Sequence, residues 1–180
     1  PVNGDLAENL YPDDGDGNVY RASTGQHSAQ LNYLGTNATS YLNVGYFKTS
    51  NGTENDWTDM FNLTFALSQA TNSLADYVQM ISTNVNVELW MRYFAVGTLM
   101  NFGETSMFNG RGDDYAMYRG VKDPRFVAIG HDFDTVFGQG DTTGTFTTTT
   151  NNSGTPTLFM MLSPPNGNGG RPTSSAPAAG

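Results

Sequence analysis

The chain has 180 residues, a length that favours a single domain with its own hydrophobic core. Acidic residues outnumber basic residues 17 to 8 and give a net charge of -9, which argues against a nucleic-acid partner. The chain has no Cys, which excludes disulfides and thiolate metal sites, and no apolar run reaches the roughly 20 residues that a membrane-spanning helix needs.

The first part of the chain predicts a loop and then short strands. Residues 1–17 show no clear periodicity and are expected to form a loop. Apolar and polar residues alternate in residues 18–21, 31–35 and 41–49, and Gly and Asn-Gly separate these segments. Such alternation is typical of strands, so three short strands are predicted.

Two main helices are predicted next. The first begins near Asp56, which can cap it, as can Asn55, and it carries apolar residues at helical spacing. The second covers residues 85–100, with Asn84 as its cap and Gly103 just beyond its end. Its surface is apolar on almost every side, so we expect it to be deeply buried.

A polar loop and a hairpin follow the second helix. Residues 103–114 are dense in Gly, Asn and Asp, whereas residues 115–120 and 125–134 predict two strands joined by a turn. The polar loop and the end of the second strand then lie on the same side of the hairpin. The domain is expected to span residues 1–160, and residues 161–180, rich in Pro, Gly and Ser, predict a disordered tail.

Acidic residues gather at this end of the predicted hairpin. Asp132 and Asp134 close the second strand, and Glu104, Asp113 and Asp114 lie in the loop before the first. Proteins hold Mg2+ with one or two carboxylates, together with phosphate oxygens and water. The arrangement suits a divalent-cation site, but the spacing alone fits at least as well a surface loop that is simply rich in Asp.

Residues 101–141, NFGETSMFNGRGDDYAMYRGVKDPRFVAIGHDFDTVFGQGD, combine an acidic residue after a long helix, an aromatic strand, and a strand that closes in Asp-x-Asp. This pattern resembles the CotH (spore-coat protein H) kinase family. The two helices before it, and the segments NVYR and YFKT, also resemble that family in order and character. The resemblance implies an α+β fold, a partial atypical protein-kinase-like domain with short N-terminal strands, two main helices, a catalytic loop and a metal-loop hairpin.

The resemblance also implies roles for single residues. Asp132 matches the metal-binding Asp of the family, and Asp134 is a second ligand or a support for the loop. Glu104 stands where the family places the catalytic Asp that orients the acceptor hydroxyl, and Asn109 and Asp114 are alternatives for one further metal ligand. Glu in place of Asp shifts a carboxylate by about an ångström, which can lower a rate about 100-fold, so a weakened or lost activity is expected.

Nucleotide binding needs cationic side chains besides the metal. Arg21 in NVYR, and then Lys48, are the candidate contacts, although each also fits an ordinary charge on a strand surface. The resemblance implies an ATP-dependent protein kinase that uses Mg2+ or Mn2+ and modifies Ser, Thr or Tyr of a coat or surface protein. It also implies a location outside the cell, at the cell surface or in the spore coat.

Two other functions stay open. The chain begins without Met, and the segment that would cover the nucleotide is expected before Pro1, so the chain is expected to be a fragment. This favours a non-catalytic spore-coat or cell-surface protein that keeps the kinase-like fold. A phosphate-ester hydrolase with two carboxylate-held metals is the other alternative, and it would release phosphate from ATP without any acceptor protein.

Overall fold

The computed structural model describes residues 1–22, 29–69, 73–100, 102, 114–133 and 136. These residues form the expected α+β fold, in which helices pack on a small sheet. In chain order the elements of this part are α1 (Gly4–Leu10), β1 (Asn18–Ala22), α2 (Ala38–Asn43), β2 (Tyr46–Lys48), a 3₁₀ helix (Gly52–Glu54), α3 (Thr58–Ser68), α4 (Leu74–Asn84), α5 (Val87–Leu99), β3 (Tyr115–Arg119) and β4 (Val127–Ile129). None of these helices has the length and hydropathy that crossing a membrane requires.

The strands of the described part form one antiparallel sheet in the order β2-β1-β3-β4. On β1, Arg21 lies opposite Phe47 of β2 and opposite Ala116 of β3. β3 and β4 form the predicted hairpin, in which Ala116 also lies opposite Ile129. Because residues paired across strands share a face of the sheet, this register decides which side chains can act together.

One face of the sheet carries the larger hydrophobic core. Its buried members from the strands and from α2, α3 and α5 are Tyr20, Ala22, Tyr41, Tyr46, Met60, Leu63, Trp90, Tyr115 and Met117. Asp59 in the first turn of α3 accepts hydrogen bonds from the Tyr20 hydroxyl at 2.6 Å and from the Asn18 side chain at 2.7 Å. These bonds tie the start of α3 to β1.

The opposite face of the sheet is covered by α1. Ala7 of this helix packs in a second cluster with strand residues that include Val19 and Tyr118, and Tyr11 stacks on Tyr118 with ring centroids 4.7 Å apart. The expectation of a loop before Asn18 was therefore wrong. A helix of seven residues spans about two turns, which is too short for its periodicity to stand out in the sequence.

The second and third predicted strands were wrong as drawn. Residues 31–35 form no strand, since the backbone N–H groups of Leu31 and Leu34 donate to the hydroxyls of Tyr46 and Tyr41, at 2.8 and 3.2 Å. Within residues 41–49 the first part belongs to α2, and only β2 is extended. Tyrosine side chains thus satisfy backbone groups that a strand would have paired in the sheet.

The two predicted helices are confirmed as α3 and α5, but α4 between them was missed. The predicted cap of α3 at Asn55 or Asp56 was wrong, because the N-cap position is Trp57, which makes no side-chain cap hydrogen bond, although Asp56 before it accepts the Thr58 N–H at 2.9 Å. The cap of α5 is Asn86 rather than Asn84, which instead accepts the Phe126 N–H through its carbonyl oxygen at 2.8 Å. The junction between α4 and α5 is thereby anchored next to β4.

Deep burial of α5 was also wrong. Only Trp90, Gly97 and Thr98 of this helix are buried, and Leu99 is 82% exposed. Within the described part, α5 contacts the sheet through β4, so only one side of the helix meets the core. An apolar helix surface therefore stays accessible.

Candidate functional site

The β3–β4 hairpin has two ends, and the candidate site lies at the end away from the turn. We define this open end as Asp114, which precedes β3, together with His131 and Asp132, which follow β4. The last ladder pair on this side joins Ala116 to Ile129, so Asp114 and His131 each lie two residues beyond it. The charges of both carboxylates act on the His131 imidazole.

Arg21 of β1 belongs to the same group. It lies opposite Ala116, and therefore on the sheet face that carries Ala116 and Ile129. Its positive charge also acts on the imidazole of His131. The open end and Arg21 together offer one cation and two carboxylates on adjoining strands.

His131 is half-buried, and its burial is the main reason why its pKa is lowered from the ordinary value. The charge of Arg21 lowers this pKa further, whereas a hydrogen bond with the Tyr115 backbone and the carboxylates of Asp114 and Asp132 oppose the shift. The imidazole is neutral near pH 7.

Two buried polar atoms of this region have no hydrogen-bond partner. Among the residues that the structure describes, four buried side-chain atoms are unpaired in this way: Arg21 Nε, Trp90 Nε1, Thr98 Oγ1 and His131 Nε2. Buried polar groups are normally paired, because an unmet hydrogen bond costs about 1 to 3 kcal/mol. The unpaired atoms of Arg21 and His131 therefore fit a region that receives a polar ligand or water.

The backbone is unusual at both carboxylates of the open end. Asp114 has a φ of 51° and Asp132 a φ of 57°, in the left-handed region that side chains other than Gly rarely adopt. Such conformations cluster at functional sites, where the surrounding structure holds them. The two chains leave the β ladder at these Asp residues.

Lys48, the second predicted nucleotide contact, lies on the other face of the sheet. Lys48 is paired with Tyr20, a member of the larger hydrophobic core. Arg21, the residue after Tyr20, lies on the opposite face, which α1 covers. The Nζ atom of Lys48 donates to the Asp56 carbonyl oxygen at 2.7 Å and lies 6.0 Å from the centre of the Tyr20 ring. Arg21 and Lys48 therefore cannot meet one ligand from the same side.

A protein-family model described as CotH kinase protein matches residues 5–164, which include the whole described sheet and the open end. The chain belongs to the CotH kinase family. The resemblance drawn from residues 101–141 is thereby confirmed. No curated protein matches the chain.

Three of the residues to which the CotH resemblance assigns a role lie outside the described residues. These are Glu104, Asn109 and Asp134. The predicted catalytic loop and the final carboxylate of the metal-loop hairpin are therefore untested and stay predictions. Asp114 and Asp132 are described, and the charge of each acts on the imidazole of His131.

The donor set of the open end suits a nucleotide-bound divalent cation. Asp132 is exposed and Asp114 is half-buried. Within the described ranges no group of three or more His, Asp or Glu side chains could hold a metal by itself. Mg2+ bound to nucleotide needs only one or two protein carboxylates, because phosphate oxygens and water complete its shell. The residues present fit such an ion.

An apolar cavity of about 410 Å³ adjoins the open end. It lies between the end of α1, the second half of α5 and β4, and Gly130 and Phe133 form its wall next to Asp132. Phe133 packs against Phe102 with ring centroids 5.0 Å apart. A space lined by aromatic and aliphatic side chains thus borders the carboxylates.

His131 is the residue whose place in the site the sequence interpretation undervalued. It received no role from the sequence, although it directly precedes Asp132 in the chain. The effects of Arg21 and Asp114 on its imidazole could not be predicted, since they depend on how distant strands pair.

Proposed function

We propose that this CotH family domain transfers the γ-phosphoryl group of ATP to a Ser, Thr or Tyr hydroxyl of a protein, with Mg2+ or Mn2+ as the metal. The observation that supports this proposal is the position of Asp114, His131, Asp132 and Arg21 at one end of the sheet, where the three charged side chains act on the His131 imidazole. Phosphoryl transfer asks a protein mainly for positioning and for neutralisation of charge. A cation beside two accessible carboxylates suits both tasks.

The described residues divide these tasks. Asp132 and Asp114 hold the divalent cation, which neutralises the phosphate oxygens when it is bound. Arg21 contacts a phosphate from the neighbouring strand, and a guanidinium suits phosphate because it can donate two parallel hydrogen bonds. Lys48 is left out of this assignment, since it lies on the opposite face of the sheet.

The remaining roles fall to residues outside the described part. Glu104 orients the acceptor hydroxyl, Asp134 is a second metal ligand or a support for the loop, and Asn109 is the alternative to Asp114 as the further ligand. Because Glu places its carboxylate about an ångström from the position of an Asp, we expect a slow enzyme. A coat or cell-surface protein is the proposed acceptor and a location outside the cell the proposed compartment, and both rest on the character of the CotH family.

The test is transfer of label from γ-labelled ATP to a casein-like acceptor with Mg2+ or Mn2+. Asp132→Asn removes one charge at nearly constant shape and should lower transfer about 100-fold or more. Asp13→Asn is the matched control, since Asp13 is exposed beside the turn at the far end of the hairpin. Equal transfer by the wild type and Asp132→Asn would remove the kinase assignment, and phosphate release without an acceptor would favour a hydrolase.

A non-catalytic binding protein is the second candidate, and exposed apolar side chains on α4 and α5 favour it. Leu74 is 77% exposed, Leu99 is 82% exposed, and α4 buries none of its residues. Accessible apolar surface of this kind often marks a protein interface. In that case Leu74→Asp or Leu99→Asp should weaken binding to a coat or surface preparation, while Asp132→Asn binds as the wild type does.

A further inference from the structure

The apolar cavity between α1, α5 and β4 is bordered by side chains that remain accessible. Leu10 at the end of α1 is 51% exposed, Val96 on α5 is 53% exposed and Phe133 after β4 is 48% exposed. Large apolar side chains gathered around one cavity favour an apolar occupant, because its binding removes their surface from water. The cavity volume of about 410 Å³ leaves room for a few large side chains.

One segment of the chain has the composition that such a cavity favours. Residues 157–162, TLFMML, contain five consecutive large apolar residues, whereas Thr, Asn, Gly, Ser and Pro dominate residues 138–156 and 163–180. From residue 142 onward the chain carries one charged side chain, that of Arg171, so burial of the segment removes no charge from water. The segment lies outside the described residues.

The connection between the cavity and this segment is direct. Phe133 forms part of the cavity wall, and residues 134–156 link it to the segment. An extended chain advances about 3.3 Å per residue, so this linker is much longer than a return to the cavity requires. The match to the CotH family model also continues to residue 164, which includes the segment in the matched domain.

We propose that residues 157–162 fold back onto the chain and fill the apolar cavity between α1, α5 and β4. The segment covers the exposed sides of Leu10, Val96 and Phe133. Because the linker makes this docking intramolecular, the segment is present at a high effective concentration, which a second copy or another protein does not match. The inference is independent of the proposed function, since neither metal nor nucleotide takes part in the docking.

Docking has a consequence for the open end of the hairpin. Phe133 directly follows Asp132, and its ring packs against Phe102 in the cavity wall. A segment that covers Phe133 therefore restrains the backbone beside this carboxylate.

A spin label on the full chain tests the docking. The chain has no Cys, so Ser163→Cys accepts a single nitroxide directly after the segment. We expect the label to weaken the amide signals of Gly97 and Gly130, which line the cavity, and to leave that of Thr39 intact. Thr39 is the reference because α2 packs beside β2, at the edge of the sheet opposite to β4.

Two substitutions on the labelled chain separate docking from random encounters. Phe159→Asp places a charge inside the apolar segment and should restore the signals of Gly97 and Gly130, because an unpaired charge is costly to bury. Thr150→Asp adds the same charge to the linker and should leave the weakened signals as they are. Equal signals in the two variants would overturn the inference.

A change on the cavity side gives an independent readout. Val96→Asp should increase the rate at which chymotrypsin cleaves within residues 157–162 about tenfold, because cleavage follows the population of the undocked segment. Val78→Asp on α4 is the matched control, since Val78 is 52% exposed and lies outside the cavity, and its cleavage rate should equal that of the wild type. Equal cleavage rates in all three proteins would contradict the docking.

The spin-label measurement also identifies other occupants. Full signals at Gly97 and Gly130 in the labelled chain would overturn the inference and leave the cavity open to a different partner. Weakening that occurs only between a labelled copy and a separate isotope-labelled copy would overturn it too, because the segment would then dock on a second molecule. These outcomes decide the inference even if Val96→Asp fails to fold.

Discussion

At its turn the β3–β4 hairpin is closed by hydrogen bonds, whereas at its open end polar atoms are buried without partners. At the turn, Asp14 accepts the backbone N–H groups of Val121, Lys122 and Asp123 at 2.8, 2.8 and 3.0 Å. These donors hold the pKa of the Asp14 carboxyl below its ordinary value. At the open end, Arg21 Nε and His131 Nε2 have no such partner.

The turn also carries paired charges. Arg125 forms two hydrogen bonds with Asp123, at 2.8 and 2.7 Å, and this arrangement lowers the pKa of the Asp123 carboxyl. The Tyr118 hydroxyl accepts the Gly17 N–H at 3.0 Å and donates to the Asp14 carbonyl oxygen. The acidic residues at the turn are thus bound within the chain itself.

The comparison teaches that acidic residues in one hairpin serve two purposes. Carboxylates that accept backbone N–H groups stabilise the fold, since their lone pairs are already occupied. At the open end, Asp114 and Asp132 lie at positive φ near the unpaired Arg21 Nε and His131 Nε2, and their proposed role is to bind a ligand. Substitutions at the two ends should therefore separate activity from stability.

The largest expected effect is on activity at the open end. Asp114→Asn and Asp132→Asn should each lower phosphoryl transfer about 100-fold, because each removes a charged oxygen donor from the proposed metal. The unfolding free energy of Asp132→Asn should change by less than about 0.5 kcal/mol, as is usual for substitutions at exposed positions. Transfer assays and urea unfolding of the same preparations measure the activity and the unfolding free energy. A large loss of stability together with full activity would contradict the proposed difference between the two ends of the hairpin.

The next effect is on stability at the turn. Asp14→Ala should lower the unfolding free energy by about 1 to 2 kcal/mol, because three N–H groups lose their acceptor in a setting like that of a helix cap. Metal binding and transfer should stay as in the wild type. Asp13→Ala is the matched control, since no described contact involves its carboxylate, and an equal loss in both variants would contradict the assignment.

A smaller effect is expected for the hydroxyl that links the turn to the loop before β1. Tyr118→Phe removes the acceptor for the Gly17 N–H and the donor to the Asp14 carbonyl, while the stacked ring of Tyr11 keeps its partner. We expect a loss of about 1 kcal/mol in unfolding free energy. Unchanged stability, measured by chemical unfolding, would show that the backbone groups find other partners.

The smallest effect is a pH dependence at the open end. The pKa of His131 in the folded chain lies below its ordinary value of 6.5, so the unfolded chain binds more protons as the pH falls through about 6.5. The unfolding free energy should therefore decrease from about pH 7 towards about pH 5, and it should decrease less in His131→Asn, which does not titrate there. Parallel pH profiles for the two proteins would contradict the lowered pKa.

Much of this hairpin follows from the sequence, because its signals are local. Alternating residues around a Lys-Asp-Pro turn predict two paired strands, and pairing alone brings Asp114 and Asp132 to one end. The helices α3 and α5 follow from apolar spacing in the same way. α4 was missed although Leu74 and Val78 are helically spaced, because neither is buried and the strong pattern of α5 begins right after it.

Contacts between distant segments could not be predicted. The pairing of β1 with β3 brings Arg21 to the open end, and nothing near Arg21 in the sequence specifies that register. The pairing of β1 with β2 places Lys48 opposite Tyr20, on the face of the sheet away from Arg21. The sequence alone did not show that Arg21 and Lys48 lie on different faces. Tyrosine hydroxyls that replace strand pairing for residues 31–35 likewise depend on tertiary contacts.

The central claim is that the open end, and not the turn, binds a divalent cation with nucleotide. Paramagnetic broadening by Mn2+ in the presence of ATP tests it directly, because amide resonances near the ion lose intensity. We predict loss of the signals of Tyr115, Gly130 and His131 at Mn2+ levels that leave those of Val121 and Lys122 intact. Broadening centred on the turn, or none at the open end when Mn2+ and ATP are in excess, would contradict the account.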